Sequence, residues 1–233
     1  KQNICLAGGV ALNCVANEKL FKKANFKDMF VFPACSDAGI PMGLSLWGYH
    51  NFYKKNKRIN FENAYSGKLY KESEIIELLK KFKIKYDICK DKELAKIISQ
   101  KKIIALFSGK SEYGPRALGN RSILADPRDP KIRDQINIKV KHRELFRPFA
   151  PAILEEYCNK YFDLDTSPFM LRAVKCKYPK KIPSAVHIDN TARVQAVNKK
   201  QNSFFYNLIN EFFKITKVPV LLNTSFNDAG EPL

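Results

Sequence analysis

The sequence predicts a mixed fold, α/β passing into α+β, and three observations carry that reading. The short apolar runs ICLA (4–7) and FVFP (30–33) each lead through a turn into a helix-like stretch, the strand–turn–helix unit of a larger sheet. From about residue 69 onward, strand-like and helix-like stretches mix irregularly, as in an α+β or twisted open-sheet domain. Hydrophobic residues make up 45% of the 233, enough to bury a core in one large domain or two small ones.

The elements follow in order. After ICLA, the glycines of GGV turn the chain and 13–23 reads as a helix. After FVFP, Asp37 stands at a turn, and AGIPMGLSLWGYHNF (38–52) reads as an apolar helix with Pro41 in its first turn, where proline is tolerated. About fifty residues with two such units cannot close a sheet domain, so most of that domain is expected upstream. The polar, basic, aperiodic stretch 53–68 reads as the boundary, giving a tail of a first domain at 1–55, a linker at 56–68 and a second domain at 69–233. SEIIELLKKF (73–82) carries apolar residues at helical spacing, IKYDIC (84–89) alternates like a strand, and DKELAKIISQ (91–100) reads as a helix with Asp91 as N-cap. KIIALF (102–107) is a buried strand. The stretch 132–144 mixes helix and turn signals, and RPFAPAIL (147–154) is extended by its prolines. LRAVKCKY (171–178) and ARVQAV (192–197) read as strands, 202–216 as an amphipathic helix, and VPVLLNTSF (218–226) as a strand ending in a turn.

Composition narrows the function classes. The net charge is +18, from 41 basic and 23 acidic residues, which favours anionic partners. Many of the lysines lie in runs such as KKNK and KKFKIK that read as solvated faces. RNA or tRNA binding is therefore the runner-up function, disfavoured because aromatic and basic residues interleave only at ELFRPF. The six cysteines are scattered with no C-x-x-C, which argues against a zinc site or disulfide framework and suits a reducing cytoplasm. No apolar run approaches the roughly 18 residues of a membrane span, and no signal peptide is visible in KQNICLAGG. The chain has no initial Met and opens almost inside a strand, and it reads as a fragment of a longer protein.

Basic side chains coincide with turns at four places. These are Lys110, Arg116 and Arg121 in GKSEYGPRALGNRS (109–122); Lys139, Lys141, Arg143 and Arg147 in KVKHRELFRPF (139–149); Arg193 in HIDNTARVQAV (187–197); and Ser225 and Asn227 in LLNTSFN (221–227). Arginine forks match phosphate and carboxylate geometry, and glycines let main-chain amides approach an anion. If the fold gathers these turns, they form an anion pocket. In GPRALG, Gly114 and Gly119 would give the backbone room, Arg116 would face the ligand, and Glu112 and Arg121 would brace the loop. GGVALN (8–13) also places glycines between strand and helix, a setting for phosphate or for close packing alone. Asp37 fits an N-cap or, less simply, a metal ligand. His50, His142 and His187 have no zinc spacing.

Taken together, GKSEYGPRALGNRSILADPR, INIKVKHRELFRPFAPAILEE, SPFM, HIDNTARVQAV and VPVLLNTSFNDAGEP resemble the O-carbamoyltransferases that decorate nodulation factors and antibiotics. The resemblance covers nearly the whole chain. It implies a tail of an actin-like ATPase domain followed by a YrdC-like twisted-sheet domain. In that family the YrdC-like domain forms carbamoyl adenylate from carbamoyl phosphate and ATP, and the actin-like domain passes the carbamoyl group to an acceptor hydroxyl near a bound iron. By motif, Arg116, Lys141, Arg147, Arg193 and Ser225 would be catalytic, holding carbamoyl phosphate and the adenylate together with Asn227. Gly8, Gly9 and Asn13 match the nucleotide loop of the actin-like domain, and Asp37 of CSDAG matches its metal ligand. The paired metal-binding histidines and general base of the family have no counterpart here, so iron(II) is expected to be absent from this fragment, and complete transfer with it. Asn190 stands where the family more often has glycine, which points to an altered turn. The implied partners are small-molecule substrates and the missing part of the actin-like domain, with a homodimer allowed and a membrane excluded.

Overall fold

The computed structural model describes residues 2–229 and 231. The chain opens with β1 (Asn3–Leu6), a tight turn at Gly9–Leu12, α1 (Cys14–Lys23) and β2 (Asp28–Val31). The strands pair in parallel, Asn3 opposite Asp28 and Leu6 opposite Val31, and α1 is the crossover between them. Asn13 caps α1 by accepting from the Ala16 amide at 3.0 Å, the role its side chain favours at that position. A single turn at Asp37–Gly39 then leads into α2 (Ile40–Trp47), with Pro41 in its first turn, and a wider turn at Gly48–Phe52 prolongs it.

The stretch 53–63 has no regular structure, yet its end is docked. The Phe61 ring lies 4.8 Å from Phe32 and 5.7 Å from Phe169, Ala64 is buried, and Tyr65 bridges to Glu112. Beyond it come α3 (Glu72–Lys81), α4 (Asp91–Ser99), β3 (Ile104–Phe107), β4 (Arg121–Ala125), α5 (Lys131–Lys139), β5 (Ala150–Leu154), α6 (Cys158–Tyr161), β6 (Ala173–Lys175), β7 (Thr191–Arg193), β8 (Gln195–Val197), α7 (Ser203–Thr216) and β9 (Val220–Ser225). Five strands form one sheet in the order β3-β4-β9-β5-β8, antiparallel except where β5 runs parallel to β8. The architecture is a mixed α/β fold.

The sheet is covered on both faces. Leu106, Leu124, Ala152, Leu154 and Leu221 pack against α4 and α7. On the other face Ala125 and Leu222 meet α5 through Ile132 and Ile136, while Ile153 and Val220 meet α6 and the β6–β7 ribbon. Successive strand residues point to opposite faces, so Val220, Leu221 and Leu222 are all buried, and a continuous apolar run is what such a central strand needs. The first segment is tied to this body by buried polar contacts. Asn17 Nδ2 donates to the carbonyls of Ala11 at 2.8 Å and Leu171 at 3.0 Å, and Arg172 Nε donates to Glu18 Oε2 at 2.6 Å.

Three sequence expectations change. IKYDIC forms no strand: Ile84, Tyr86 and Ile88 are exposed, because an alternating pattern needs a neighbouring ladder and none of the described residues pairs with it. Asp91 is the first helical residue and not the cap; Lys90 caps α4, and its amide is met by Glu93 Oε2 at 2.9 Å. ARVQAV is two strands in different sheets, β7 on β6 and β8 on β5, joined at buried Val194. Asn190 adopts φ 61°, the left-handed conformation that asparagine tolerates better than other residues with a Cβ.

Candidate anion site

The GPRALG loop joins β3 to β4 and is braced from within. Glu112 Oε1 accepts from the amides of Leu118 (2.7 Å), Asn120 (2.8 Å) and Arg121 (3.2 Å). Arg121 lies over the Phe107 ring at 3.6 Å and donates to the carbonyls of Ser108, Asn120 and Gly109. Both residues therefore brace the loop as their place in the motif implies. The glycines give the backbone room at two close approaches. Gly114 has φ 125°, and a Cβ there would meet the Pro33 carbonyl oxygen at 2.8 Å; Gly119 has φ 107°, and a Cβ would meet the Phe205 ring at 2.2 Å. They make room for the first segment and for α7. Tyr113 donates from its hydroxyl to the Ala38 carbonyl, a second link to the first segment.

Behind this loop a cavity of ≈ 330 Å³ is lined by Arg116, Arg143, Arg147 and Arg193, with Ser225, Thr224, Asn223, His187 and Cys14 among its other walls and no carboxylate. The fold brings all four of these turns to one place. Arg116 reaches the Leu12 carbonyl with Nη2 at 3.3 Å, but its buried Nε has no partner; the buried Nε of Arg193 has none either. Burial pulls Arg193 down to about 10, helped by the positive charges of Arg116 and Arg143. Burial also lowers Arg116, and burial together with Arg147 lowers Arg143. Buried donors without acceptors and crowded like charges are each costly unless an anion completes them. Arg147 is the more solvated member and pairs with Glu144 at 2.9 Å.

Lys141 is placed differently. Its buried ammonium donates to Ser225 O (2.5 Å) and Oγ (3.3 Å) and to Asn227 O (2.7 Å) and Oδ1 (3.0 Å), and it does not line the cavity. Its four acceptors make it a pin for the 225–227 turn. Burial brings it down to about 8, with Arg143 adding to the shift. Ser225 Oγ donates in turn to Asn227 Oδ1 at 2.5 Å. Asn227 faces a second cavity on the outer side of the GPRALG loop.

The remaining candidates lie at the edge. Gly8 and Gly9 are exposed with open space around them, and Gly8 takes φ 93°. The loop they begin passes the arginine cavity, where Leu12 and Cys14 meet its wall. Asp37 is exposed, and the described residues contain no group of three or more His, Cys, Asp or Glu side chains that could hold a metal. A single exposed carboxylate at Asp37 is too few donors to hold iron by itself.

Two residues of the site's frame, Asn223 and Gln195, were missed, whereas Arg143 was named with its basic turn. Arg143 carries the same basic-turn signal as its neighbours. Asn223 and Gln195 carry no local signal. Gln195 Nε2 donates to Leu118 O at 2.7 Å, and Asn223 Nδ2 donates to Gln195 Oε1 at 2.9 Å and Ala117 O at 3.1 Å. This buried amide chain fixes the GPRALG loop against β8 and β9.

Comparison with known proteins matches two family models: Carbamoyltransferase N-terminus at residues 1–46 and Carbamoyltransferase C-terminus at 95–233. The chain belongs to the carbamoyltransferase family. Among its relatives, Nodulation protein NolNO of Sinorhizobium fredii is 40% identical over 100% of this chain and 36% of its own length. Nodulation protein NolO of Bradyrhizobium diazoefficiens is 40% identical over 99% and 44%. Nodulation protein U of Rhizobium tropici is 34% identical over 98% and 39%. The chain thus spans less than half the length of these carbamoyltransferase-family relatives. In this family member the C-terminal match supplies the four arginines, and the N-terminal match supplies Leu12 and Cys14 to the same wall. Among the described residues no helix is long and apolar enough to cross a membrane.

Proposed function

We propose that this chain carries the carbamoyl-activating part of an ATP-dependent O-carbamoyltransferase. The observation that carries the reading is the acid-free cavity with four arginines, two of which hold a buried Nε without a partner. Carbamoyl phosphate is a compact dianion with a planar carbamoyl group, and its forked phosphate oxygens match guanidinium geometry. Arg116 and Arg193 would grip the phosphate, and Arg143 and Arg147 would neutralise charge at the open side, beside the Ser225 turn that Lys141 and Asn227 hold in place. Carbamoyl phosphate, ATP and one water give carbamoyl adenylate, pyrophosphate and phosphate. Every phosphorylated species is anionic, so fixed cations would lower the barrier by charge neutralisation and positioning without a covalent step on the protein.

The body from about residue 69 onward would be the YrdC-like domain and the first 55 residues the tail of the actin-like one. Transfer to an acceptor hydroxyl would fall to the full-length protein. Calorimetric titration of the 233-residue chain tests the reading. Carbamoyl phosphate should bind, and Arg116→Ala should weaken it at least tenfold. No binding by the parent chain, or an unchanged Arg116→Ala variant, sinks the reading. Turnover of an acceptor by this chain alone would refute the assignment of transfer to the rest of the protein.

A further inference from the structure

Helix α3 and the chain that follows it present more apolar surface than the fold uses. Ile76 and Leu79 of α3 are half-buried. Ile75, Leu78 and Phe82, spaced i, i+3 and i+7, form a second stripe that is 39%, 52% and 66% exposed. The helix closes on Lys83 at φ 53°, and the Ile84 amide donates to the Leu79 carbonyl at 2.9 Å, a left-handed ending. The stretch 84–90 then runs without regular structure, and every residue from 81 to 90 is exposed, Ile88 at 87%. Single exposed apolar side chains need no explanation, but a run of them on neighbouring turns marks a contact surface. The family matches at 1–46 and 95–233 stop short of this stretch, and none of its residues lines the arginine cavity. Neither the shared body nor the anion site accounts for it.

Charge selects the occupant. KKFKIKYDICK (80–90) holds five lysines against one aspartate, and lysines alternate with Phe82, Ile84 and Tyr86. A second copy of the chain would bring the same lysines to the contact and be repelled. A nucleic acid would meet the lysines, but Leu78, Ile84 and Ile88 offer its bases no ring to stack on. An anionic bilayer satisfies both halves of the surface, with phosphates for the ammonium groups and an apolar layer just beneath them. We propose that residues 72–90 form a membrane-surface anchor, with Leu78, Phe82 and Ile84 entering the headgroup boundary and Lys81, Lys83 and Lys85 meeting lipid phosphates. Such contact lies in the plane of the headgroups and needs no spanning helix. It revises the expectation that excludes a membrane as partner, and it is independent of the activation reading.

Flotation of the 233-residue chain with vesicles tests the anchor. One set is phosphatidylcholine alone, and the other is two parts phosphatidylcholine to one part phosphatidylserine. The chain should float with the anionic set, float poorly with the neutral set, and be released by high salt. Each lysine at the surface contributes roughly fivefold in affinity, so Lys83→Glu combined with Lys85→Glu should weaken anionic-vesicle binding at least tenfold. Phe82→Ser combined with Ile84→Ser should also lose tenfold or more, with Tm unchanged because both side chains are exposed. Absence of flotation with the anionic set overturns the anchor. So does equal flotation with both sets, or flotation that survives both double variants. Binding to a uridine oligomer or to poly-glutamate without binding to vesicles assigns the surface to a nucleic acid or an acidic protein instead, and a dimer that Phe82→Ser with Ile84→Ser dissociates assigns it to a second copy.

Discussion

Arg193→Met should make the protein more stable and worse at holding an anion. The Arg193 side chain makes no hydrogen bond among the described residues, its Nε is buried without a partner, and Arg116 and Arg143 crowd it with like charge. The fall from 12.5 to about 10, caused by burial and by the charges of Arg116 and Arg143, corresponds to a penalty on the order of a few kcal/mol. Methionine keeps most of the apolar stem and removes the charge. Part of the gain is offset because the cavity lets solvent screen the group, so a net stabilisation of about 1–2 kcal/mol is expected, or about 2–8 °C in Tm for a chain of this size. The lost charge-assisted bond to carbamoyl phosphate should cost about 1.5–3 kcal/mol, roughly 10- to 100-fold in Kd. Thermal unfolding and calorimetry on one preparation read both quantities. A variant that melts lower than the parent and binds carbamoyl phosphate as tightly would refute the reasoning, because Arg193 would then be a structural residue.

Other outcomes follow from the same geometry. Glu112→Gln keeps the side chain's shape but removes the charge that three main-chain amides share, and should cost about 2–3 kcal/mol of stability by denaturant unfolding. Gly119→Ala places a methyl against the Phe205 ring at a positive φ, and should cost about 2–5 kcal/mol, read as a drop in Tm. Lys141 gives opposite trends in stability and binding. Its folded value near 8 lies below the ordinary 10.5, so the unfolded chain holds that proton more tightly, and Lys141 adds stability as pH rises from about 8 to about 10.5. Over the same range its neutral amine has fewer donors for the 225–227 turn, and carbamoyl phosphate affinity should fall; a pH series of unfolding curves and titrations separates the two trends.

Much of the fold was legible because it rests on local chemistry. The apolar run at 218–222 belongs to a strand buried on both faces, and Pro41 to the first turn of a helix. The basic turns pointed to a shared anion site for the same reason: arginine in a glycine- or proline-rich turn is a short-range pattern. IKYDIC failed because alternation says that a segment could pair, not that a partner lies beside it.

Taken alone, the residue order determined the class of fold, the charged turns and the family they resemble, since periodicity, caps and motifs act within a few residues. Tertiary structure decided which charges face the cavity and which hold its walls. Lys141 is drawn out of the cavity by acceptors 84 and 86 residues away. Gly119 answers to Phe205, and Asn223 and Gln195 join the site through a side-chain hydrogen bond between strands distant in sequence. Those roles depend on contacts across the sheet, which no local pattern encodes, and only the packed chain brings them together.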